Sequence, residues 1–147
     1  MAAGKPDFIA LDWNGTVVPF FGLAAYSGAL ETAASWKEDG CLVFVVSRAG
    51  QGTVERDVER TGLAHDGVFG CVDKGPVLQD LHARHGDGVF LGDHPSDFRA
   101  ADEAGIPFLQ AGLEGQPLLE GADGCFRGWE EAALLVARLW GISEAPS

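Results

Sequence analysis

Short apolar runs alternate along this chain with longer segments of helical periodicity, and this alternation constrains the fold more than any other feature. Strands that alternate with helices indicate a parallel sheet whose faces are covered by the helices. We predict strands at 7–12, 41–46, 68–72, 89–91 and 107–109, and helices at 28–39, 52–61, 76–85, 96–104 and 129–140. The predicted fold class is α/β, a three-layer α/β sandwich with a Rossmann-like parallel sheet.

The last predicted helix has an apolar face that we expect to pack on the core. This face is formed by Leu134, Leu135, Val136 and Leu139. Trp129 and Trp140 on the same helix are also expected to be core residues. The segment 112–124 before it is the loosest predicted loop.

The length of 147 residues is enough for one hydrophobic core, so residues 1–147 are expected to form a single domain. No run approaches the roughly 20 apolar residues that a membrane helix needs, so no membrane association is expected. Residues 1–6 contain no apolar signal region. The three cysteines have no metal-type spacing and are expected to be reduced, which favours a cytoplasmic location.

The formal net charge of −12 argues against nucleic acid as a partner. A nucleic-acid surface needs a basic stripe to neutralise phosphates, and the sequence has none. The acidic balance fits a site where Asp residues hold a hard divalent cation, but an ordinary acidic surface has the same balance. The net charge therefore argues against nucleic acid as a partner but does not indicate a particular function.

The first apolar run ends on a carboxylate. Residues 8–11 are followed by Asp12, and Gly15 allows a tight turn directly after it. Thr16 adds a hydroxyl group to the same turn. Because Asp12 would project from the carboxyl end of a buried strand, it lies at the edge where open α/β sheets bind ligands.

Three further polar signals end apolar runs or begin helices. The run 42–46 is followed by Ser47 and Arg48, and Lys74 precedes a helical pattern. The run 88–91 is followed by Gly92 and then by Asp93, His94 and Asp97. Each signal alone is as typical of a turn or a helix cap as of a catalytic site. Their combination at the carboxyl ends of neighbouring strands favours a shared site.

In order and spacing, these four groups resemble the motifs of the haloacid dehalogenase (HAD) superfamily over nearly the whole chain. The segments between Asp12 and Ser47 and between Ser47 and Lys74 are too short for a cap domain, so the chain looks like a capless member. One position differs from the family pattern. Phosphatases of the family read Asp-x-Asp-Gly-Thr, and here the second acid is Asn14.

The resemblance implies a role for each of these residues. Asp12 would be the nucleophile that forms an aspartyl-phosphate. The implied Mg²⁺ ligands are Asp12, the backbone carbonyl of Asn14 and Asp93, with Asp97 completing the acidic set by orienting Lys74 or a metal-bound water. The transferring phosphoryl group would be bound by Thr16, Ser47, Arg48 and Lys74.

Asn14 limits the catalysis that the resemblance implies. The second acid of the family protonates the leaving oxygen and then activates water, and an amide can do neither. General acid–base catalysis contributes about 10²–10⁴-fold, so activity is expected to be lower by that order unless another group substitutes. His94 is the nearest candidate in sequence, although a histidine there is more often exposed.

Three interpretations of Asn14 remain open. The protein is a slow phosphatase, or one for acyl or aryl phosphates whose leaving groups need no acid. It binds a small phosphorylated ligand with little turnover. Or Asn14 is an introduced residue that traps the phospho-enzyme. A fourth, phosphonate cleavage, is suggested by Trp13, but that branch of the family needs a lysine from a cap.

The segment 17–26 is long enough for a flap over the site. Its apolar residues would expose a patch in a monomer: Phe20, Phe21, Leu23 and Tyr26. Such patches often mark interfaces, so a homodimer or homotetramer is expected, unless the flap folds back on its own domain. The favoured function is a Mg²⁺-dependent phosphohydrolase acting on a small phosphorylated metabolite.

Overall fold

The computed structural model describes residues 4–141. Eleven elements follow one another along the chain. They are β1 (Phe8–Leu11), α1 (Ala29–Glu38), β2 (Leu42–Ser47), α2 (Gln51–Thr61), β3 (Gly67–Gly70), α3 (Lys74–His85), β4 (Gly88–Gly92), α4 (Pro95–Ala104), β5 (Phe108–Ala111), β6 (Cys125–Phe126) and α5 (Trp129–Leu139).

The six strands form one sheet in the order β3-β2-β1-β4-β5-β6, and every pairing is parallel. β1 lies between β2 and β4, with Leu11 in register with Val45 and Leu91. All four residues of β1 are fully buried, as expected for a central strand of a parallel sheet. The residue after β1 therefore lies in the middle of the carboxyl edge.

Two hydrophobic layers cover the two faces of the sheet. Ile9 and Leu11 of β1 belong to the layer formed with α1, α2 and α5, and Phe8 and Ala10 belong to the layer formed with α3 and α4. This division follows from the alternation of side chains along a strand. The predicted three-layer α/β sandwich is confirmed, and no cap domain interrupts the described residues.

The end of the chain differs from the prediction. The strand β6 was not predicted, because it has only two residues and follows a long loop. In α5 the buried residues are Trp129, Ala132 and Val136. The prediction that Leu134 and Leu139 belong to its core face is wrong, since 45% of Leu134 and 36% of Leu139 are exposed.

Two boundaries near the carboxyl edge also differ. β3 begins one residue before the predicted start at 68 and ends two residues before the predicted end at 72. The helix α3 begins at Lys74, two residues before the predicted start, because the Asp73 side chain accepts a hydrogen bond from the backbone N–H of Gly75 and caps it. Trp140 follows α5 and is partly buried against the core.

The structure does not describe residues 1–3 and 142–147. The prediction for residues 1–6 therefore lies partly outside the described residues. Among residues 4–141, no helix has the length and apolar character required to span a bilayer.

Candidate functional site

The carboxyl edge of the sheet brings the predicted polar residues together. Asp12 follows β1, Ser47 ends β2, Lys74 begins α3 and Asp93 follows β4. With Asp97 from the first turn of α4, the three aspartates each offer a carboxylate oxygen within 4.8 Å of the others. The three aspartates, predicted from two separate segments, therefore form one compact group.

Lys74 connects two of these carboxylates. Its Nζ donates to Asp12 Oδ1 at 2.7 Å and to Asp97 Oδ1 at 2.6 Å. The side chains of all three residues are at most 10% exposed. Lys74 Nζ also lies 5.4 Å from the centre of the Phe90 ring, on the sheet below. The burial of the side chain and its two hydrogen bonds hold the ammonium group at one position in the cluster.

Asp97 is oriented by the start of α4. Its Oδ2 accepts hydrogen bonds from the backbone N–H groups of Asp93 and His94, each at 3.2 Å. The exposed His94 caps the same helix, since its Nδ1 accepts from the backbone N–H of Ser96 at 3.1 Å. His94 thus has the structural role of a helix cap.

The turn after Asp12 is closed by its own backbone. The carbonyl of Trp13 accepts from the N–H groups of Thr16 and Val17 at 3.1 and 3.0 Å, and Gly15 donates to the carbonyl of Val18 at 2.7 Å. Thr16 Oγ1 lies 3.4 Å from Asp12 Oδ2. The N–H groups of residues 15–17 are therefore paired within the turn, and the Thr16 hydroxyl is the group that reaches Asp12.

Gly15 is required at its position for two reasons. Its φ of 82° lies in the left-handed region, which non-glycine residues rarely adopt. A Cβ atom here would lie 2.1 Å from Asp93 Oδ2. The absence of a side chain at residue 15 therefore allows Asp93 to approach the turn.

Asn14 has an unusual environment. Its Oδ1 is buried and has no hydrogen-bond partner among the described residues. Leaving a buried polar atom unpaired costs about 1–3 kcal/mol. The neighbouring aspartates are acceptors when ionised and cannot donate to this oxygen. An orphaned polar atom in the turn that follows Asp12 points to a group that is bound there in function.

The electrostatics of the cluster follow from its burial. Burial raises the pKa of Asp12 to about 6, with Lys74 opposing the rise and a hydrogen bond with Asp93 adding to it. Burial and the charge of Asp12 raise the pKa of Asp97 to about 6. Burial lowers the pKa of Lys74, but Asp12 and Asp97 outweigh it and the pKa is raised overall. Lys74 therefore stays cationic, whereas the acids hold protons below about pH 6.

The donor set fits a small, hard dication. Mg²⁺ prefers oxygen ligands in an octahedral arrangement, and Asp12 and Asp93 offer carboxylate oxygens close together. Both oxygens of Asp97 already accept hydrogen bonds from Lys74 and from backbone amides. Asp97 is consequently better suited to orienting Lys74 than to direct coordination.

Two predicted phosphate-binding residues, Ser47 and Arg48, lie at the carboxyl end of β2. Ser47 is buried at the end of β2, and Arg48 is exposed. Arg48 and Lys74 line a cleft of about 270 Å³ that extends from the start of α3 along α4, where Arg99 and Glu103 line it. Of the predicted phosphate-binding residues, Arg48 and Lys74 line this cleft, and Lys74 connects it to the acidic cluster.

One buried carboxylate near the site was not predicted. Asp57 of α2 is 8% exposed, and its Oδ2 accepts from Trp13 Nε1 at 2.7 Å. In the sequence it stands among exposed charged residues of α2, so no local pattern distinguishes it. Only the tertiary structure shows that it contacts the residue next to Asp12.

Solved structures share this fold. A HAD-superfamily hydrolase from Ehrlichia chaffeensis superposes with a TM-score of 0.74 at 15% identity, covering 94% of this chain and 99% of that one. The chain has the HAD fold. The cobalt-bound deoxy-D-mannose-octulosonate 8-phosphate phosphatase from Haemophilus influenzae superposes with a TM-score of 0.73 at 14% identity, covering 94% and 91%.

A third HAD-fold structure was solved with ligands. The D,D-heptose 1.7-bisphosphate phosphatase from B. bronchiseptica, complexed with magnesium and phosphate, has a TM-score of 0.64 at 19% identity, covering 87% of this chain and 98% of that one. No protein-family model and no curated protein matches the sequence. The likeness is thus in the arrangement of the chain, and the predicted HAD-like architecture is confirmed.

Proposed function

We propose that this protein is a Mg²⁺-dependent phosphohydrolase that acts on a small phosphorylated metabolite through an aspartyl-phosphate on Asp12. The observation that carries the proposal is the buried contact of Asp12 with Lys74, beside Asp93 on the adjacent strand end. Such a group offers a nucleophile, a fixed positive charge and oxygen ligands for a cation at one place. The fold neighbours named as phosphatases of phosphorylated sugars support this choice.

The first step is the attack of an Asp12 oxygen on phosphorus. The new Asp12–phosphorus bond forms as the bond from phosphorus to the leaving oxygen breaks, and that oxygen takes a proton from water. Lys74 and the hydroxyl groups of Ser47 and Thr16 stabilise charge on the equatorial oxygens. Mg²⁺ held by Asp12, the Asn14 carbonyl and Asp93 would neutralise charge on the phosphoryl group.

The second step returns Asp12 to its starting state. Water adds to phosphorus and the bond to Asp12 breaks. Inorganic phosphate leaves with one proton of that water, and the other proton goes to the solvent, where it replaces the proton taken in the first step. Asn14 neither donates nor accepts a proton in either step. Substrates with good leaving groups, such as aryl and acyl phosphates, are therefore favoured.

A second candidate is a phosphate-binding protein with little turnover. Asn14 favours it, because the amide keeps the shape of the acid without its proton transfer. The two candidates share the ligand site and differ only in the release of phosphate.

The homo-oligomer remains a proposal. Phe20 and Leu23 on the flap are 60% and 51% exposed, whereas Phe21 and Tyr26 pack partly on the core. An exposed apolar pair at the site edge supports a contact with a second copy. The cytoplasmic location is likewise proposed, and the three cysteines, all free of disulfides, fit a reducing compartment.

The test is Mg²⁺-dependent phosphate release from aryl, acyl and sugar phosphates. We expect release by the unchanged chain, highest for aryl or acyl phosphates, and none by Asp12→Asn, which keeps the size of the side chain. Calorimetry with Mg²⁺ and inorganic phosphate gives the second arm. Binding of both without any Asp12-dependent release would favour the binding protein, and absence of Mg²⁺ binding would reject both candidates.

A further inference from the structure

Asp57 binds three N–H groups that belong to two loops and to its own helix. Its Oδ2 accepts from Trp13 Nε1 at 2.7 Å, and its Oδ1 accepts from the backbone N–H of Gly22 at 3.0 Å and from Arg60 Nε at 2.8 Å. The core contacts of α2 are made by Val54 and Val58. The buried carboxylate is therefore directed at the loops that surround the catalytic edge.

The first of these loops carries the nucleophile candidate. Trp13 lies between Asp12 and Asn14, its ring is fully buried, and its carbonyl closes the turn by accepting from the N–H groups of Thr16 and Val17. An indole N–H buried in this way needs an acceptor. Asp57 supplies that acceptor and thereby fixes the residue from which the turn is built.

The second loop is the flap, residues 17–26. Asp57 holds Gly22 directly, and Arg60 Nη2 donates to the carbonyl of Leu23 at 2.8 Å. The two ends of the flap are joined, because Tyr26 donates its N–H to the carbonyl of Val17 at 2.8 Å. The flap is therefore a closed loop that begins at the turn and is anchored at its far side through Asp57.

The anion at residue 57 strengthens each of these bonds. Hydrogen bonds to an ionised carboxylate are shorter and stronger than those between neutral groups. The hydrogen bond from Arg60 lowers the pKa of Asp57, and the bonds from Trp13 and Gly22 lower it further, against the effect of burial. Asp57 is thus charged throughout the neutral range and accepts all three bonds at once.

We propose that Asp57 is a positioning residue that couples the flap to the nucleophile loop. It rests on the proposed phosphohydrolase function. The flap continues from the turn that follows Asp12, so in a chain without a cap we expect a substrate to contact it. Because one carboxylate holds both loops, a displacement of the flap displaces Trp13 and with it the direction of Asp12.

Three variants separate the parts of this connection. Trp13→Phe removes the N–H donor and keeps a buried ring. Arg60→Met removes the flap anchor at Leu23 and keeps an unbranched stem. Asp57→Ala removes the bonds to Trp13 and to the backbone of Gly22, and with them the direct link between the two loops. Asp66→Ala is the control, because Asp66 also accepts from a lysine, Lys37, and from a backbone N–H, that of Val43, but contacts neither loop.

The kinetic readout is the division between kcat and KM for phenyl phosphate and for fructose 1,6-bisphosphate. We expect Trp13→Phe to lower kcat for both by about tenfold to a hundredfold, since small misplacements of a reacting group have effects of this size. Arg60→Met should raise KM for the larger substrate alone. Asp57→Ala should show both effects, and Asp66→Ala should stay within about twofold.

Amide hydrogen exchange gives a readout that does not depend on turnover. Asp57→Ala should speed exchange at Gly22 and at residues 15–18 together, whereas Asp66→Ala should speed it at Val43. Coupling is overturned if residues 15–18 stay protected in Asp57→Ala, or if Asp66→Ala changes kinetics as much. If no variant and no unchanged chain releases phosphate, the proposed function fails, and the exchange pattern still decides the coupling.

Discussion

Asn14 and Gly15 are neighbours in the nucleophile loop, and they carry opposite kinds of constraint. Gly15 is determined by shape, since its backbone angle and the approach of Asp93 both exclude a side chain. Asn14 is constrained by chemistry, since its Oδ1 is buried and has no hydrogen-bond partner among the described residues. Substitutions at the two positions therefore test geometry and proton transfer separately.

Restoring a carboxyl group at residue 14 should restore acid–base catalysis. We expect Asn14→Asp to raise Mg²⁺-dependent phosphate release by about 10²–10⁴-fold, most for alkyl phosphates, whose leaving oxygen needs a proton. The measurement compares kcat for alkyl and aryl phosphates in both chains. Asn14→Asp combined with Asp12→Asn is the control and should be inactive. An equal gain for both substrate classes would contradict a role in protonating the leaving group.

Gly15→Ala should weaken Mg²⁺ binding by displacing Asp93. The added Cβ would lie 2.1 Å from Asp93 Oδ2, and φ is 82°. The matched control is Gly22→Ala, where φ is 84° and nothing lies within 4 Å of the added Cβ. Both variants should lose about 1–3 kcal/mol of stability from backbone strain. Calorimetric titration should show reduced Mg²⁺ affinity in Gly15→Ala alone, and equal affinities would contradict the role assigned to the clash.

The residues that the sequence indicated do meet at one edge, whereas their connections to the rest of the molecule were not predictable. Asp12, Lys74 and Asp93 follow apolar runs or begin a helix, so strand order places them together. Asp57 lies 44 residues from its partner Trp13. A bond of that separation has no signature in local spacing, and it becomes visible only when α2 is packed on the sheet.

At the scale of elements, the alternation of apolar runs and helical segments predicted five strands and five helices, and the structure contains all of them. Buried parallel strands are continuous apolar runs, and this is a strong local signal. β6 is the exception, because its two residues, Cys125 and Phe126, owe their strand pairing to Gln110 and Ala111 of β5. Its presence depends on tertiary pairing that no short window contains.

The face of α5 was mispredicted for a related reason. Apolar residues occur on several sides of this helix, so the sequence from 129 to 139 allows more than one choice of buried face. The helix buries Trp129, Ala132 and Val136 in the same hydrophobic layer as α1. Trp129 occupies the space there, packing 6.1 Å from Trp36 of α1 between ring centres. Volume, which periodicity does not encode, selects the buried face.

At the scale of the whole molecule, the formal net charge is −12 and three aspartates form one cluster. Proton and cation binding at this cluster therefore change the stability of the folded chain. Burial raises the pKa values of Asp12 and Asp97 from 3.8 to about 6, so the folded chain holds more protons than the unfolded chain between these values. The contribution of these groups to stability is therefore full below about pH 4 and declines as pH rises to about 6. The pKa of Asp57 is lowered, so its contribution to stability is present at neutral pH and is lost as the pH falls through that pKa.

Mg²⁺ should reverse the loss of stability that the acidic cluster causes at neutral pH. The cation binds carboxylates in their ionised form, so below about pH 6 it competes with protons on Asp12, and its affinity falls up to about tenfold per pH unit for each proton released. Bound ligand stabilises the folded state in proportion to the logarithm of its concentration over Kd. The Mg²⁺-induced rise in Tm should therefore be small at pH 5 and reach its full size above pH 7.

Scanning calorimetry from pH 5 to 8, with and without Mg²⁺, measures this dependence. Asp93→Asn is the control, because it removes a proposed ligand and should abolish the Mg²⁺-induced rise at every pH, while the decline of stability without Mg²⁺ persists. A rise in Tm of the same size at pH 5 and pH 8 would show that the cation binds away from the protonated acids. A rise that survives Asp93→Asn would place the cation outside the cluster, and the carboxyl edge would then lose its assignment as the metal site.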